Sequence, residues 1–191
     1  MSTIGMFLTL AVFAYLLGSI PFGKIVGNRR GIDIQKHGSG NIGFANAFRV
    51  LGWKPSLIVL AGDILKGLIP VLIATQYLST NQTMVVGLIA VIGHIFPVWL
   101  GFRGGKGIAT GLGVTLVLTP LVGLLGAMVY ISAFAYFKKS GPSSIVAAWS
   151  LPIFCAVISP QYTWFYISLG FLALWTHRNN LREIKKLVYA G

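Results

Sequence analysis

The chain has few acidic residues and little charge of any kind. Of its 191 residues only three are acidic, and 9% are charged, against about 25% in an ordinary soluble domain. A site that binds a divalent metal through several carboxylates would have almost nothing to be built from. The single cysteine, Cys155, has no partner within the chain, which excludes an intrachain disulfide scaffold. We therefore expect neither a metal nor a cofactor.

The abundant residues are apolar or basic. Hydrophobic residues make up 55% of the chain, and 15 Lys and Arg residues give a net charge of +12. A soluble globule of this size could not cover so much apolar surface with so few charges. The basic residues separate apolar runs and do not gather in one solvated domain, so we expect a membrane protein with no nucleic-acid partner.

Seven apolar runs follow one another along the chain: Ile4–Ile25, Pro55–Leu78, Thr83–Phe102, Ile108–Thr119, Pro120–Phe137, Ser144–Ile158 and Tyr162–Thr176. The first three are each long enough to cross a hydrocarbon core of about 30 Å. The 31 residues between Lys106 and Lys138 are long for one crossing and short for two. One crossing would place Lys138 and Lys139 outside, whereas two crossings place every Lys and Arg except Lys66 in cytoplasmic segments.

Charge therefore favours two crossings with a turn near Thr119-Pro120. The predicted fold is an all-α polytopic integral membrane bundle of seven transmembrane helices. Its N-terminus lies outside, its C-terminus lies inside, and residues 1–191 form a single membrane domain. The fourth helix must then be short, tilted or partly outside the bilayer.

A glycine-rich segment, Gly38–Gly43, precedes Asn46 and Arg49. Glycines let backbone N–H groups turn toward an anion, while Ser39 and Asn41 add neutral donors. The guanidinium of Arg49 matches phosphate oxygens. The segment is either a flexible connection that opens the second helix or part of a phosphate site.

A second glycine-rich segment, Gly104–Gly107, lies within the polar stretch Gly93–Thr110. It precedes a predicted helix, whose N–H groups favour anions, and Lys106 supplies a positive charge. The segment is not a Walker A sequence. It is either a tight turn or a phosphate cradle, and His94, among apolar neighbours, is interpreted as structural.

Two further polar blocks interrupt the apolar pattern. Asp63 and Lys66 lie three residues apart within a predicted span, so they can pair on one helix face. His177 and Asn180 share a face at the end of the last predicted span, where the alternative is a solvated basic helix end.

Together these blocks favour a phosphate-bearing ligand at the lipid boundary on the cytoplasmic side. A small transporter or channel for an organic phosphate would use the same cations. Such a protein needs polar residues through the depth of its path, however, and only the second predicted span carries an ion pair.

The same blocks resemble the bacterial acyl-phosphate-dependent glycerol-3-phosphate acyltransferase family. The resemblance rests on Gly38–Gly43 with Asn46 and Arg49, on Asp63-x-x-Lys66-Gly67, on Gly93–Thr110 and on His177-Arg178-x-Asn180. The chain departs from the family pattern at Phe44-Ala45, where Ala-Thr is usual, and at Asn179, where an acidic residue is usual.

The resemblance implies a multi-pass enzyme of the bacterial inner membrane. It would acylate glycerol 3-phosphate to lysophosphatidic acid, the first acylation of phospholipid synthesis, with a fatty acyl phosphate as donor. Its partners would be these two substrates and membrane lipid, with functional coupling to a soluble enzyme that makes the acyl phosphate. The chain also lacks the His-x4-Asp signature of other glycerolipid acyltransferases.

The expected site follows from the matched motifs. The resemblance implies that the catalytic residues would be Ser39, Lys106, His177 and Asn180. The groups that bind substrate phosphate are Ser39, Gly40, Asn41, Asn46, Arg49, Gly104, Gly105, Lys106, Gly107, His177 and Asn180. The general base is either His177 or a substrate phosphate, because no carboxylate belongs to the strongest anion-binding blocks.

Overall fold

The computed structural model describes residues 2–180, and all regular secondary structure in that range is helical. The α-helices are α1 (Thr3–Gly18), α2 (Phe22–Asn28), α3 (Phe44–Leu51), α4 (Trp53–Tyr77), α5 (Thr80–Ile95), α6 (Ile108–Leu118), α7 (Pro120–Phe137), α8 (Ser140–Ile158) and α9 (Thr163–Thr176). Short 3-10 turns occupy Ile34–Lys36, Val98–Leu100, Pro160–Tyr162 and Arg178–Asn180. The predicted all-α class is confirmed for this part of the chain.

Five helical segments within residues 2–180 are long and apolar enough to cross a membrane: Thr3–Asn28, Trp53–Tyr77, Thr80–Leu100, Pro120–Phe137 and Ser140–Ile158. Two further apolar helices are shorter, with 11 residues in α6 and 14 in α9. A hydrocarbon core needs about 20 helical residues, so these two fall short by length. The count of seven crossings and the orientation of the termini stay predictions.

The sequence determines several helix ends directly. Ser79 and Gln82 form a reciprocal capping box that begins α5. Pro120 occupies the first position of α7, where a missing N–H costs nothing, and the helices break at Thr119 as predicted.

The first apolar run differs from the prediction, because it forms two helices and not one. Pro21 has no backbone N–H to donate along a helix, and here α1 ends at Gly18 and α2 begins after Pro21. At this break the Ile20 carbonyl accepts the Phe22 N–H at 3.2 Å and the ammonium of Lys66 at 2.9 Å.

The described helices divide into two compact units, one up to Leu118 and the other from Thr119 onward. In the first unit α1 packs against α4 and α5, and α4 packs against α6. Glycines allow this close approach: a Cβ at Gly67 would collide with the Thr110 carbonyl, and one at Gly113 with the Ile64 carbonyl. Small residues at helix crossings are the usual means of packing helices in membranes.

In the second unit α8 packs against both α7 and α9. The hydroxyl groups of Thr119 and Tyr166 hydrogen-bond to each other within its interior. Trp149 of α8 meets Phe171 of α9 edge to face, with ring centroids 5.3 Å apart. That the whole chain acts as one membrane domain stays a prediction.

The crossing of α4 and α6 gives a matched pair of substitutions on one helix. We expect Gly113→Ala to lower the melting temperature of detergent-solubilised protein, because overpacking costs about 1–3 kcal/mol. Gly111→Ala meets open space, so it should be neutral or stabilise by up to about 1 kcal/mol. Equal melting temperatures for the two variants would contradict the packing described here.

Candidate phosphate-binding site

The first glycine-rich loop is organised around the side chain of Asn46, which is 2% exposed. Its amide oxygen accepts a hydrogen bond from the Ser39 backbone N–H at 2.8 Å. Its amide nitrogen lies 2.9 to 3.2 Å from the carbonyl oxygens of Ile34, His37 and Asn41. One neutral side chain thus satisfies the backbone of a loop that has no regular pairing of its own.

Glycine is required at two positions of this loop. Gly38 and Gly40 have φ of 60° and 71°, where a side chain is strained. A Cβ at Gly38 would also overlap the Asn46 amide oxygen. The resulting turn leaves Ser39 exposed, and the Asn41 side chain accepts the Gly43 N–H at 2.8 Å.

Phe44 does not disturb this arrangement. It opens α3 and packs against Phe48, with ring centroids 6.2 Å apart, while Phe48 meets Trp53 edge to face. All hydrogen bonds of Asn46 form with Phe44 in place. The departure from the family pattern therefore leaves the loop intact.

The segment before the loop is fixed by Asp33. Its carboxylate pairs with the ammonium of Lys24 and accepts the Gln35 N–H at 3.2 Å. The hydrogen bond from Lys24 is the main reason that the pKa of Asp33 lies below its usual value. Because the pKa is lowered, the stabilisation from this tether is fully present above the ordinary aspartate pKa and is lost as the pH falls through the lower pKa of the folded protein.

The second glycine-rich loop is hydrogen-bonded to the C-terminal end of α5. The Gly104 N–H donates to the Ile95 carbonyl at 3.1 Å, and the Gly105 N–H donates to the His94 carbonyl at 3.0 Å. Gly107 has φ of 80°, and its carbonyl accepts the Gly111 N–H at 2.7 Å to begin α6. Lys106 is half-buried between two buried glycines.

The two glycine-rich loops meet, although 68 residues separate Gln35 from Arg103. The Gln35 side-chain amide donates to the Arg103 carbonyl at 3.3 Å. A cleft of about 480 Å³ opens at this junction, and its lining residues are Asp33, Gln35, Lys36, Gly40, Leu100, Arg103 and Gly104. Because Lys24 neutralises Asp33, the cationic side chains of Lys36 and Arg103 make the electrostatic potential of the cleft positive.

The structure thus brings Ser39, Asn41 and Asn46 into one hydrogen-bonded loop, and Gly40 and Gly104 line the same cleft. Arg49 lies one turn after Asn46 on α3 and is exposed. Their contacts with phosphate stay predictions.

His177 belongs to the second unit, where it is 2% exposed at the end of α9. Its Nδ1 lies 2.9 Å from the Ala173 carbonyl. A carbonyl only accepts, so Nδ1 carries a proton and Nε2 is the basic nitrogen of the neutral ring. The side chain of Asn180, also a predicted site residue, lies outside the described part of the structure.

Sequence reasoning found one of the buried electrostatic contacts and missed another. The predicted pair is confirmed, with Lys66 Nζ 2.9 Å from Asp63 Oδ1. The same oxygen also lies 3.5 Å from Nδ1 of His94, a contact that was not predicted. The rule that ionisable residues inside membranes face one another could have suggested it.

Within residues 2–180, no three His, Cys, Asp or Glu side chains are grouped so that they could hold a metal ion.

Comparison with known proteins identifies the family to which the chain belongs. The sequence profile described as glycerol-3-phosphate acyltransferase matches residues 8–187. The chain belongs to this family. A glycerol-3-phosphate acyltransferase of Myxococcus xanthus is 42% identical over 182 residues, covering 93% of this chain and 95% of that protein. One of Aquifex aeolicus is 39% identical over 181 residues, covering 93% and 94%.

Comparison with solved structures supports the same family. The crystal structure of PlsY, an integral membrane glycerol 3-phosphate acyltransferase, superposes in its glycerol 3-phosphate form with a TM-score of 0.90 at 38% identity. Its lysophosphatidic acid form gives a TM-score of 0.88. Each comparison covers 97% of this chain and 93% of the other. This acyltransferase is accordingly an integral membrane protein.

The central position of Asn46 can be tested by a substitution of nearly equal shape. In Asn46→Asp a carboxylate oxygen would face carbonyl oxygens, and each buried group left unpaired costs about 1–3 kcal/mol. We expect faster amide hydrogen exchange across residues 34–46, measured by mass spectrometry. Asn41→Ala removes only the bond to Gly43 and should change exchange less. Wild-type protection in Asn46→Asp would contradict the proposed organisation of the loop.

Proposed function

We propose that this protein transfers a fatty acyl group from an acyl phosphate to a hydroxyl of glycerol 3-phosphate. The hydroxyl oxygen attacks the acyl carbonyl carbon, the bond from that carbon to the phosphate oxygen breaks, and inorganic phosphate leaves. The products are 1-acyl-glycerol 3-phosphate, that is lysophosphatidic acid, and phosphate.

The observation that carries this proposal is the junction of the two glycine-rich loops at a cationic cleft. Gly40 and Gly104 line it together with Lys36 and Arg103, and Asp33, the acidic residue in its lining within residues 2–180, is paired with Lys24. The N–H groups of Gly40 and Gly104 already donate to the carbonyls of His37 and Ile95, so it is the two cations that suit a phosphate dianion. Family membership supports glycerol 3-phosphate as the molecule that brings this phosphate.

The chemistry of the donor supports acyl phosphate. An acyl phosphate is a mixed anhydride, already activated and carrying a good leaving group. The protein must then chiefly position two anionic substrates and stabilise the developing oxyanion. Such an enzyme needs few ionisable groups, which fits a chain with three acidic residues and no His-x4-Asp signature.

The proposed role of each residue is assigned from the sequence motif to which it belongs. Arg49 and Lys106 supply positive charge to the phosphates. The backbone of Gly104–Gly107 places Lys106, since the N–H groups of Gly104 and Gly105 already donate to the carbonyls of Ile95 and His94. Ser39 and Asn41 act as neutral donors, and Asn46 holds their loop in shape. His177 and Asn180 act on the same substrates.

We also propose the topology that the distribution of cations favours. Seven helices would cross the bacterial inner membrane, with the glycine-rich loops on the cytoplasmic side. The acyl chain would enter from the lipid, and a soluble enzyme that makes acyl phosphate would supply the donor from the cytoplasm.

The donor is tested by assaying purified protein with glycerol 3-phosphate and either palmitoyl phosphate or palmitoyl-CoA. We expect lysophosphatidic acid from palmitoyl phosphate alone, because acyl phosphate is the proposed donor. Product from palmitoyl-CoA alone would overturn that donor. If neither donor reacts while vesicles take up glycerol 3-phosphate, the protein is a transporter and the proposed function is wrong.

A second experiment concerns the base that accepts the hydroxyl proton. We propose a substrate phosphate, since the second pKa of a phosphate monoester, about 6, lies near the working pH. His177→Gln should then raise the KM for glycerol 3-phosphate severalfold, because a protonated imidazole that donates to phosphate from Nε2 is replaced by a neutral amide, and should leave the shape of the pH–rate profile unchanged. Loss of the acidic limb in this variant would identify Nε2 of His177 as the base instead.

A further inference from the structure

Three ionisable side chains lie buried side by side within the first unit. Asp63 and Lys66 of α4 and His94 of α5 have side chains that are only 1–3% exposed. Removing such groups from water is costly, and replacing a buried ion pair by apolar residues is often neutral or stabilising. Stability alone is therefore a weak reason for these residues to be present.

The cluster joins several segments of the chain. Asp63 Oδ1 lies 2.9 Å from Lys66 Nζ and 3.5 Å from Nδ1 of His94. Lys66 Nζ also donates to the carbonyl of Ile20, at the break between α1 and α2. One carboxylate oxygen of Asp63 therefore lies next to both the ammonium of Lys66 and the imidazole of His94.

The far side of the imidazole lies against the second glycine-rich loop. A Cβ built on Gly105 would overlap Nε2 of His94, so the ring occupies the space in which a side chain of residue 105 would lie. The Gly105 N–H also donates to the carbonyl of His94. One residue thus holds Gly105 through both its ring and its backbone, directly before Lys106.

We propose that Asp63 and His94 are positioning residues that set the place of the Gly104–Gly107 loop, and through it Lys106, toward the phosphate of glycerol 3-phosphate. This inference rests on the proposed function for the identity of the ligand. Asp63 orients the imidazole, and the imidazole supports Gly105. The His94 ring is buried and acts on the loop, not on the reacting atoms.

The opposing explanation is an ion pair that only stabilises the helix bundle. The two explanations separate in the double variant Asp63→Leu/Lys66→Met, which removes the buried pair but also removes the carboxylate from His94. Its melting temperature should fall less than that of Asp63→Leu alone, because no buried charge is left unpaired, although the Ile20 carbonyl loses the ammonium of Lys66. Its KM for glycerol 3-phosphate should nevertheless rise on the order of 10-fold, with a smaller change in kcat.

His94→Gln provides the second variant, in case the double variant does not fold. It should raise the same KM and speed amide exchange at residues 104–107. Thr115→Val is the matched control, since Thr115 is buried in α6 and bonds only to the carbonyl of Gly111 in its own helix. It should leave both KM and loop exchange unchanged.

A thermodynamic cycle tests the route through Lys106. Lys106→Met alone should raise the KM, and combining it with His94→Gln should add little if the imidazole acts through this loop. Multiplicative effects in the combined variant would overturn that route. Wild-type KM and loop exchange in folded His94→Gln would overturn the inference as a whole.

Failure of the proposed donor can be told apart from failure of this inference. Equilibrium binding of radiolabelled glycerol 3-phosphate to the wild type and to each variant needs no donor. Weaker binding in His94→Gln and in the double variant, with wild-type binding in Thr115→Val, supports the inference even if palmitoyl phosphate does not react. Equal binding in all four proteins would overturn it.

Discussion

The structure depends on one constraint, that polar groups placed among apolar helices must be satisfied inside the protein. The break between α1 and α2 illustrates it. The helical hydrogen bonding is interrupted at Pro21. The carbonyl of Ile20 accepts a hydrogen bond from the ammonium of Lys66, and the carboxylate of Asp63 balances the charge of that ammonium. Each of these polar groups is therefore satisfied by the next one. A short apolar chain thereby acquires a defined buried polar centre.

The same constraint explains how few acidic residues the chain uses. Within residues 2–180 the two acidic side chains are both paired with lysines, Asp33 with Lys24 and Asp63 with Lys66. Asp33 lines the cleft but is neutralised by Lys24. In the described part of the chain the charges of Lys36 and Arg103 therefore give the cleft a positive potential, which favours an anion.

The features that could be predicted from the sequence are local ones. Pro120 and the spacing of Asp63 and Lys66 act within a few residues, so the turn at Thr119 and the ion pair followed from general rules. The approach of His94 to Asp63 and of Gln35 to Arg103 depends on helix packing over long separations, which no local pattern encodes. Pro21 is a sequence signal for a helix break, but the apolar run Ile4–Ile25 is long enough for one span and was therefore predicted as a single helix.

Asn46 shows why residue type alone does not settle a role. An amide near a glycine-rich loop suits a phosphate ligand and suits loop carbonyls equally well, and only the fold decides between them. Here it serves the backbone of Ser39, Ile34, His37 and Asn41. An amide suits that task, since a carboxylate could not donate to the three carbonyls and an ammonium could not accept the Ser39 N–H. A loop held by neutral hydrogen bonds also leaves the positive field of the neighbouring cleft unchanged.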